Sequence, residues 1–183
     1  MTQDPNSPEN LSQEALDAYK LGAYDDAANG FQAAKREFLD RGDEVNAAEA
    51  ANNLSVVLLK IDRSHDALEA VIGTPEIFQH AGDIQKEAMA LGNLAAALEA
   101  TGEFKQAEEC YVQALTRLDE SNDQEARSYI LQALSRLQLR GGKPFDALTS
   151  MQGALDSQPR PGWRDRILRR LFDLPARLLG RGS

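Results

Sequence analysis

The sequence predicts an all-α solenoid of four helix hairpins, followed by one amphipathic helix. Three observations carry this. A small–large–small triplet recurs every 40 residues: Ala27/Phe31/Ala34, Ala67/Val71/Thr74, Ala107/Tyr111/Ala114 and Ala147/Met151/Ala154. A stop–start signal recurs with the same period at Gly42–Asp43, Gly82–Asp83 and Asn122–Asp123. The composition, 42% hydrophobic but only 6% aromatic and rich in alanine, suits closely packed helices better than a β-rich core. Self-similarity at a period of about 20–50 residues is the signature of a stacked repeat, in which each unit buries its apolar face only against its neighbours.

Taken in order, residues 1–8 carry Pro5 and Pro8 among polar neighbours and read as a flexible leader. Helix pairs A and B then occupy about 9–42, 43–82, 83–122 and 123–159. Within each pair the turn falls at Gly22, Asp62, Gly102 and Gly141–Gly142. Glycine or asparagine just past a helix end takes up the left-handed terminal conformation. The aspartate that follows offers an oxygen to the first N–H groups of the next helix. Pro144 stands early in the last B helix, where a missing N–H costs little. The first alanine of each triplet lies where helix B crosses helix A closely, and the large residue one turn on fills the gap toward the next pair.

The run Gly102-x-Phe104-x-x-Ala107-x-x-x-Tyr111-x-x-Ala114 resembles the tetratricopeptide repeat. Leu91 and Leu94 fall on that motif's helix A leucines, and Pro159 on its terminal proline. The resemblance covers roughly residues 8–159. The period of 40 is similar to the long-helix variety of kinesin light chains and Pins-type adaptors, as is the run Gly82-Asp83, Ala90-Leu91, Asn93-Leu94. The second repeat departs most, with Asp62 for the turn glycine, Ser64 for the aromatic and Thr74 for the alanine.

This resemblance implies a right-handed superhelix whose A helices line a concave groove for an extended or helical peptide of a protein partner. By position, the groove residues are Glu49, Asn52, Asn53, Val56 and Lys60; Met89, Asn93, Ala96 and Glu99; and Tyr129, Gln132, Arg136 and Arg140. Asn53 and Asn93 match a family position whose amide pairs with the ligand backbone, offering donor and acceptor together; both could instead bond within the array. The carboxylate-clamp pattern of chaperone-binding members is absent. The resemblance thus implies a non-catalytic adaptor or scaffold.

Other chemistry has little support in the residues. His65 and His80 lie near the two ends of one expected helix, too far apart to share a metal. Cys110, the only cysteine, adjoins Tyr111 and reads as a small buried hydrophobe. Gly141-Gly142-Lys143 lacks the upstream glycine and preceding strand of a phosphate loop. No Ser-His-Asp set or catalytic carboxylate pair stands out, so no enzyme, cofactor or metal is expected. A net charge of −9 argues against nucleic acid. The first ten residues show no secretory pattern and no run is long enough to span a bilayer, so a cytoplasmic protein is expected.

The C-terminal segment reverses the charge. Residues 160–183 carry +5 and the preceding 159 carry −14. Trp163, Ile167, Leu168, Leu171, Phe172 and Leu174 form an apolar stripe, flanked by Arg166, Arg169, Arg170 and Arg177, and Pro175 ends the helical pattern. Three readings are open: a helix capping the fourth pair, a basic amphipathic helix lying peripherally on an anionic membrane, or a segment docking on another chain, including a second copy in a homo-oligomer.

Overall fold

The computed structural model describes residues 7–121 and 123–157. The described residues form nine helices: α1 (Pro8–Lys20), α2 (Tyr24–Asp40), α3 (Glu44–Lys60), α4 (Ser64–Val71), α5 (Thr74–Ala81), α6 (Ile84–Thr101), α7 (Phe104–Ser121), α8 (Gln124–Arg140) and α9 (Pro144–Asp156). The chain divides into two compact units, one through Arg117 and one from Leu118 onward.

The 40-residue punctuation acts as its chemistry requires. Asp43 accepts the N–H of Asn46 at 3.1 Å, Asp83 that of Lys86 at 2.9 Å and Asp123 that of Ala126 at 3.0 Å. Each bond satisfies one of the orphan donors in a first helical turn. Asn46 also donates its side-chain amide to Asp43, and these bonds lower the Asp43 pKa, the side-chain bond most. The first helix already begins at Pro8, capped by Ser7, so the helical array starts at the edge of the expected leader.

In the first unit, α2 packs on both α1 and α3. Ala27, Ala67 and Ala107 are fully buried, as tight crossings demand. Phe31 lies in one apolar cluster with Leu54, Val57 and Leu58 of α3, together with Ala67 and Val71 of α4. A second cluster joins Ala34 and Phe38 to Ala47 and Ala50. A third joins Ala48 of α3, Phe78 of α5 and Ala90 of α6.

The second repeat departs from the simple hairpin. The pattern predicts one B helix containing both His65 and His80; the structure has two, α4 and α5, with one histidine on each. Gly73 takes φ +84°, which places a left-handed residue between them, and Pro75 brings no N–H to continue the α4 ladder. Thr74 therefore opens α5 instead of completing the B-helix triplet. It is nonetheless buried, its hydroxyl lying 2.9 Å from the Val71 carbonyl.

In the second unit α8 and α9 form a hairpin joined by buried polar contacts. Ser128 donates to the Ala154 carbonyl at 2.9 Å, Ser135 to that of Ala147 at 2.8 Å, and Ser150 to Gln138 Oε1 at 2.8 Å. The segment 160–183, with Trp163, Arg166, Ile167, Arg169, Arg170, Leu171 and Phe172, lies outside the described residues, as does Pro159.

Candidate functional site

The residues expected to line a groove fall on the A helices α3, α6 and α8. The first two pack together in the first unit, and α8 belongs to the second.

On α3, spacing of three and four residues sets Glu49, Asn53, Val56 and Lys60 along one face. Glu49 and Lys60 are exposed, and Asn53 and Val56 half-buried. Asn52 points elsewhere. It is 7% exposed, and its Oδ1 accepts the Thr74 hydroxyl at 3.1 Å. The same 40-residue register places Met89, Asn93 and Ala96 along α6. Met89 is 54% exposed, and the other two are half-buried.

Two of the expected groove carboxylates are engaged. Lys86 of α6 reaches Glu49 Oε2 at 2.8 Å, tying α6 to α3. The hydrogen bond to Glu49 raises the Lys86 pKa above its usual value, outweighing the partial burial that lowers it. Glu99 Oε2 accepts the hydroxyl of buried Tyr111 at 3.2 Å, linking α6 to α7. Among the described residues, the side chains of Asn53 and Asn93 make no hydrogen bond. The face therefore presents two unpartnered amides at matched positions of neighbouring helices, beside Val56, Met89 and Ala96, with Lys60 toward one end.

On α8, Tyr129 is 66% exposed, and Arg136 and Arg140 are also exposed. Gln132 Nε2 donates to Ser128 Oγ at 3.2 Å, so its amide is anchored to the hydroxyl that binds α9.

A cavity of 310 Å³ lies elsewhere in the first unit, between α5, α6 and α7. Its polar wall holds the ion pair between Arg117 Nε and Glu87 Oε1 at 2.8 Å, whose carboxylate side chain is 9% exposed. Sequence spacing gave no hint of this contact, because it depends on how α7 lies against α6. Among the described residues, no cluster of three histidine, cysteine or acidic side chains could hold a metal. No described helix is long and apolar enough to cross a membrane.

No family model matches the chain, and no curated protein matches it. Solved structures do. The crystal structure of the apo form of RapI superposes with a TM-score of 0.76 at 16% identity, over 85% of this chain and 57% of that one. A Rap protein complexed with competence and sporulation factor gives 0.70 at 19%, over 96% and 49%. MamA (41-end) from Desulfovibrio magneticus RS-1 gives 0.64 at 22%, over 85% and 79%. This chain thus spans about half the length of the two Rap proteins. These likenesses show the fold, an all-α helical-repeat solenoid of the tetratricopeptide type.

Proposed function

We propose that this protein is a non-catalytic adaptor of the long-period tetratricopeptide kind, which holds an extended segment of a protein partner against α3 and α6. The observation that carries the reading is the pair Asn53 and Asn93. A half-buried amide without a protein partner is costly to desolvate unless a ligand completes it. Two such amides, 40 residues apart on adjacent helices, suit separate peptide groups a few residues apart along an extended chain. Val56, Met89 and Ala96 supply apolar contact beside them, and methionine adapts to varied side chains. Glu49 and Glu99, engaged with Lys86 and Tyr111, act in this reading as struts of the face. The structural likeness to a Rap protein complexed with a factor supports a binding role for such a fold.

The test is selection of binders from a displayed library of unstructured peptides, followed by titration. Asn53→Ala with Asn93→Ala should weaken binding roughly 10–100-fold, at about 1 kcal/mol per lost hydrogen bond, and leave the melting temperature almost unchanged. Unchanged affinity, or a large fall in stability, would remove the two amides from the recognition of the peptide.

A further inference from the structure

We propose that residues 163–174 dock on α9 as a further A helix, in the place that α3 takes on α2. The starting observation is a pair of equivalent positions with opposite exposure. On α2, Ala28 and Phe31 are 7% and 2% exposed, because they share an apolar cluster with Leu54, Val57 and Leu58 of α3. Three periods later the same positions on α9 are Leu148 and Met151. Leu148 is 49% exposed and Met151 half-exposed. The second unit therefore leaves uncovered the side of its B helix that the first unit covers with an A helix. Leucine and methionine there are ordinary for a packed surface and unfavourable for one left in water.

The occupant is identified by register. Stepping forward from α3 by three periods, Ala47, Ala48, Ala51 and Leu54 become Ile167, Leu168, Leu171 and Leu174. All four α3 residues are buried. The other A helices give the same result: Leu91 and Leu94 of α6, like Leu131 and Leu134 of α8, also step onto Leu171 and Leu174. The 40-residue period thus continues past α9 into a segment whose apolar residues fall where A helices bury theirs. Length agrees as well. A helix over 163–174 is about 18 Å long, as is the stretch 145–156 of α9, at ~1.5 Å per residue. Residues 158–162 supply the connection, Gln-Pro-Arg-Pro-Gly, whose prolines and glycine suit a turn.

Arg170 departs from the pattern. It stands where Ala50, Ala90 and Ile130 are buried. The segment must therefore sit rotated toward Leu168 and Leu171. That leaves Arg170 at the edge, with its stem on apolar surface and its guanidinium in water. Pro175 ends this helix earlier than α3, at the position of Ser55.

The test uses the full chain, with hydrogen exchange of residues 163–174 and the emission of Trp163, the only tryptophan. In buffer the segment should be protected and the emission blue-shifted. Met151→Glu, at a half-exposed site, should abolish the protection and shift the emission red, and Leu171→Glu should do the same from the other side. In a Cys110→Ser chain, Met151→Cys with Leu174→Cys, the counterparts of Phe31 and Leu54, should close an intramolecular disulfide. Protection that survives Met151→Glu would overturn the proposal, as would its absence from the unmodified chain. Protection gained only on phosphatidylserine-containing vesicles would assign the segment to a membrane instead. Protection that appears only as the mass doubles, or disulfides only between chains, would assign it to a second copy.

Discussion

Thr74 and Asn52 meet across the break in the second repeat's B helix, with the threonine hydroxyl 3.1 Å from Asn52 Oδ1. They are 3% and 7% exposed. One hydroxyl proton serves both this oxygen and the Val71 carbonyl, so the contact ties the end of α4 and the start of α5 to the middle of α3. Asn52 is thereby turned away from the exposed face that its neighbour Asn53 occupies.

The two adjacent asparagines should therefore behave differently. Asn52→Ala leaves a buried hydroxyl without its side-chain partner and should cost about 1–2 kcal/mol. Asn53→Ala removes no protein hydrogen bond and should stay within about 0.5 kcal/mol. Urea denaturation of the two variants checks this. Equal midpoints would mean that the Thr74 contact contributes nothing to the break.

Asp62 carries φ +59°, while its counterparts Gly22, Gly102 and Gly142 lie between +72° and +92°. A side chain in the left-handed region is strained, though aspartate tolerates it better than most. Asp62→Gly relieves that strain and adds some entropy to the unfolded chain. The balance should be a gain of about 0.5–1 kcal/mol. A lower melting temperature in this variant would show that the aspartate makes a compensating contact.

The turn and its position were legible in the sequence because a 40-residue period repeats the same local chemistry: glycine, then aspartate, then a small–large–small triplet. Capping is local, so Asp43, Asp83 and Asp123 could be read without the fold. The split of the B helix was less legible. Gly73-Thr74-Pro75 carries the signal, but Thr74 occupies a triplet position and so reads as part of a continuous helix. The partners of Glu49, Glu99 and Glu87 could not be read at all. Each partner lies 12 to 37 residues away on another helix, and side-chain spacing along one helix says nothing about how two helices pack.

Cys110 is half-buried rather than enclosed as its place beside Tyr111 suggested, since it lies on the flank of α7. Burial raises its thiol pKa above the usual 9.0, and the nearby carboxylates of Glu109 and Glu76 add to the shift. Only the thiolate is the nucleophile. Iodoacetamide should therefore modify Cys110 more slowly at pH 7.5 than it modifies a cysteine in an unstructured peptide. The rate should climb as pH rises past 9 and the thiol ionises. Replacing Glu109 and Glu76 with glutamine should move the rate profile to lower pH. Labelling as fast as the peptide at pH 7.5 would contradict the raised pKa.

Gly30 and Gly153 are both glycines inside helices, where alanine is intrinsically better by about 1 kcal/mol. The same substitution should nevertheless have opposite effects at the two. A Cβ built on Gly30 would lie 2.8 Å from Ala15 Cβ and 3.3 Å from the Ala15 Cα, so α1 itself must move. At Gly153 the nearest atom is Leu131 Cδ1 at 3.2 Å, the end of a side chain that can yield. Gly30 also heads a column with Ala70, Cys110 and Ser150, a second small residue per repeat three positions beyond the crossing alanine. Overpacking at such a crossing costs about 1–3 kcal/mol, which exceeds the propensity gain. Gly30→Ala should therefore destabilise the first unit by about 1–2 kcal/mol. Gly153→Ala should be neutral or stabilising by up to about 1 kcal/mol. Thermal melts of the two variants, each compared with the unmodified chain, read the difference directly. A stabilised Gly30→Ala would mean that α1 and α2 can separate at little cost, and that the small-residue column does not set their distance.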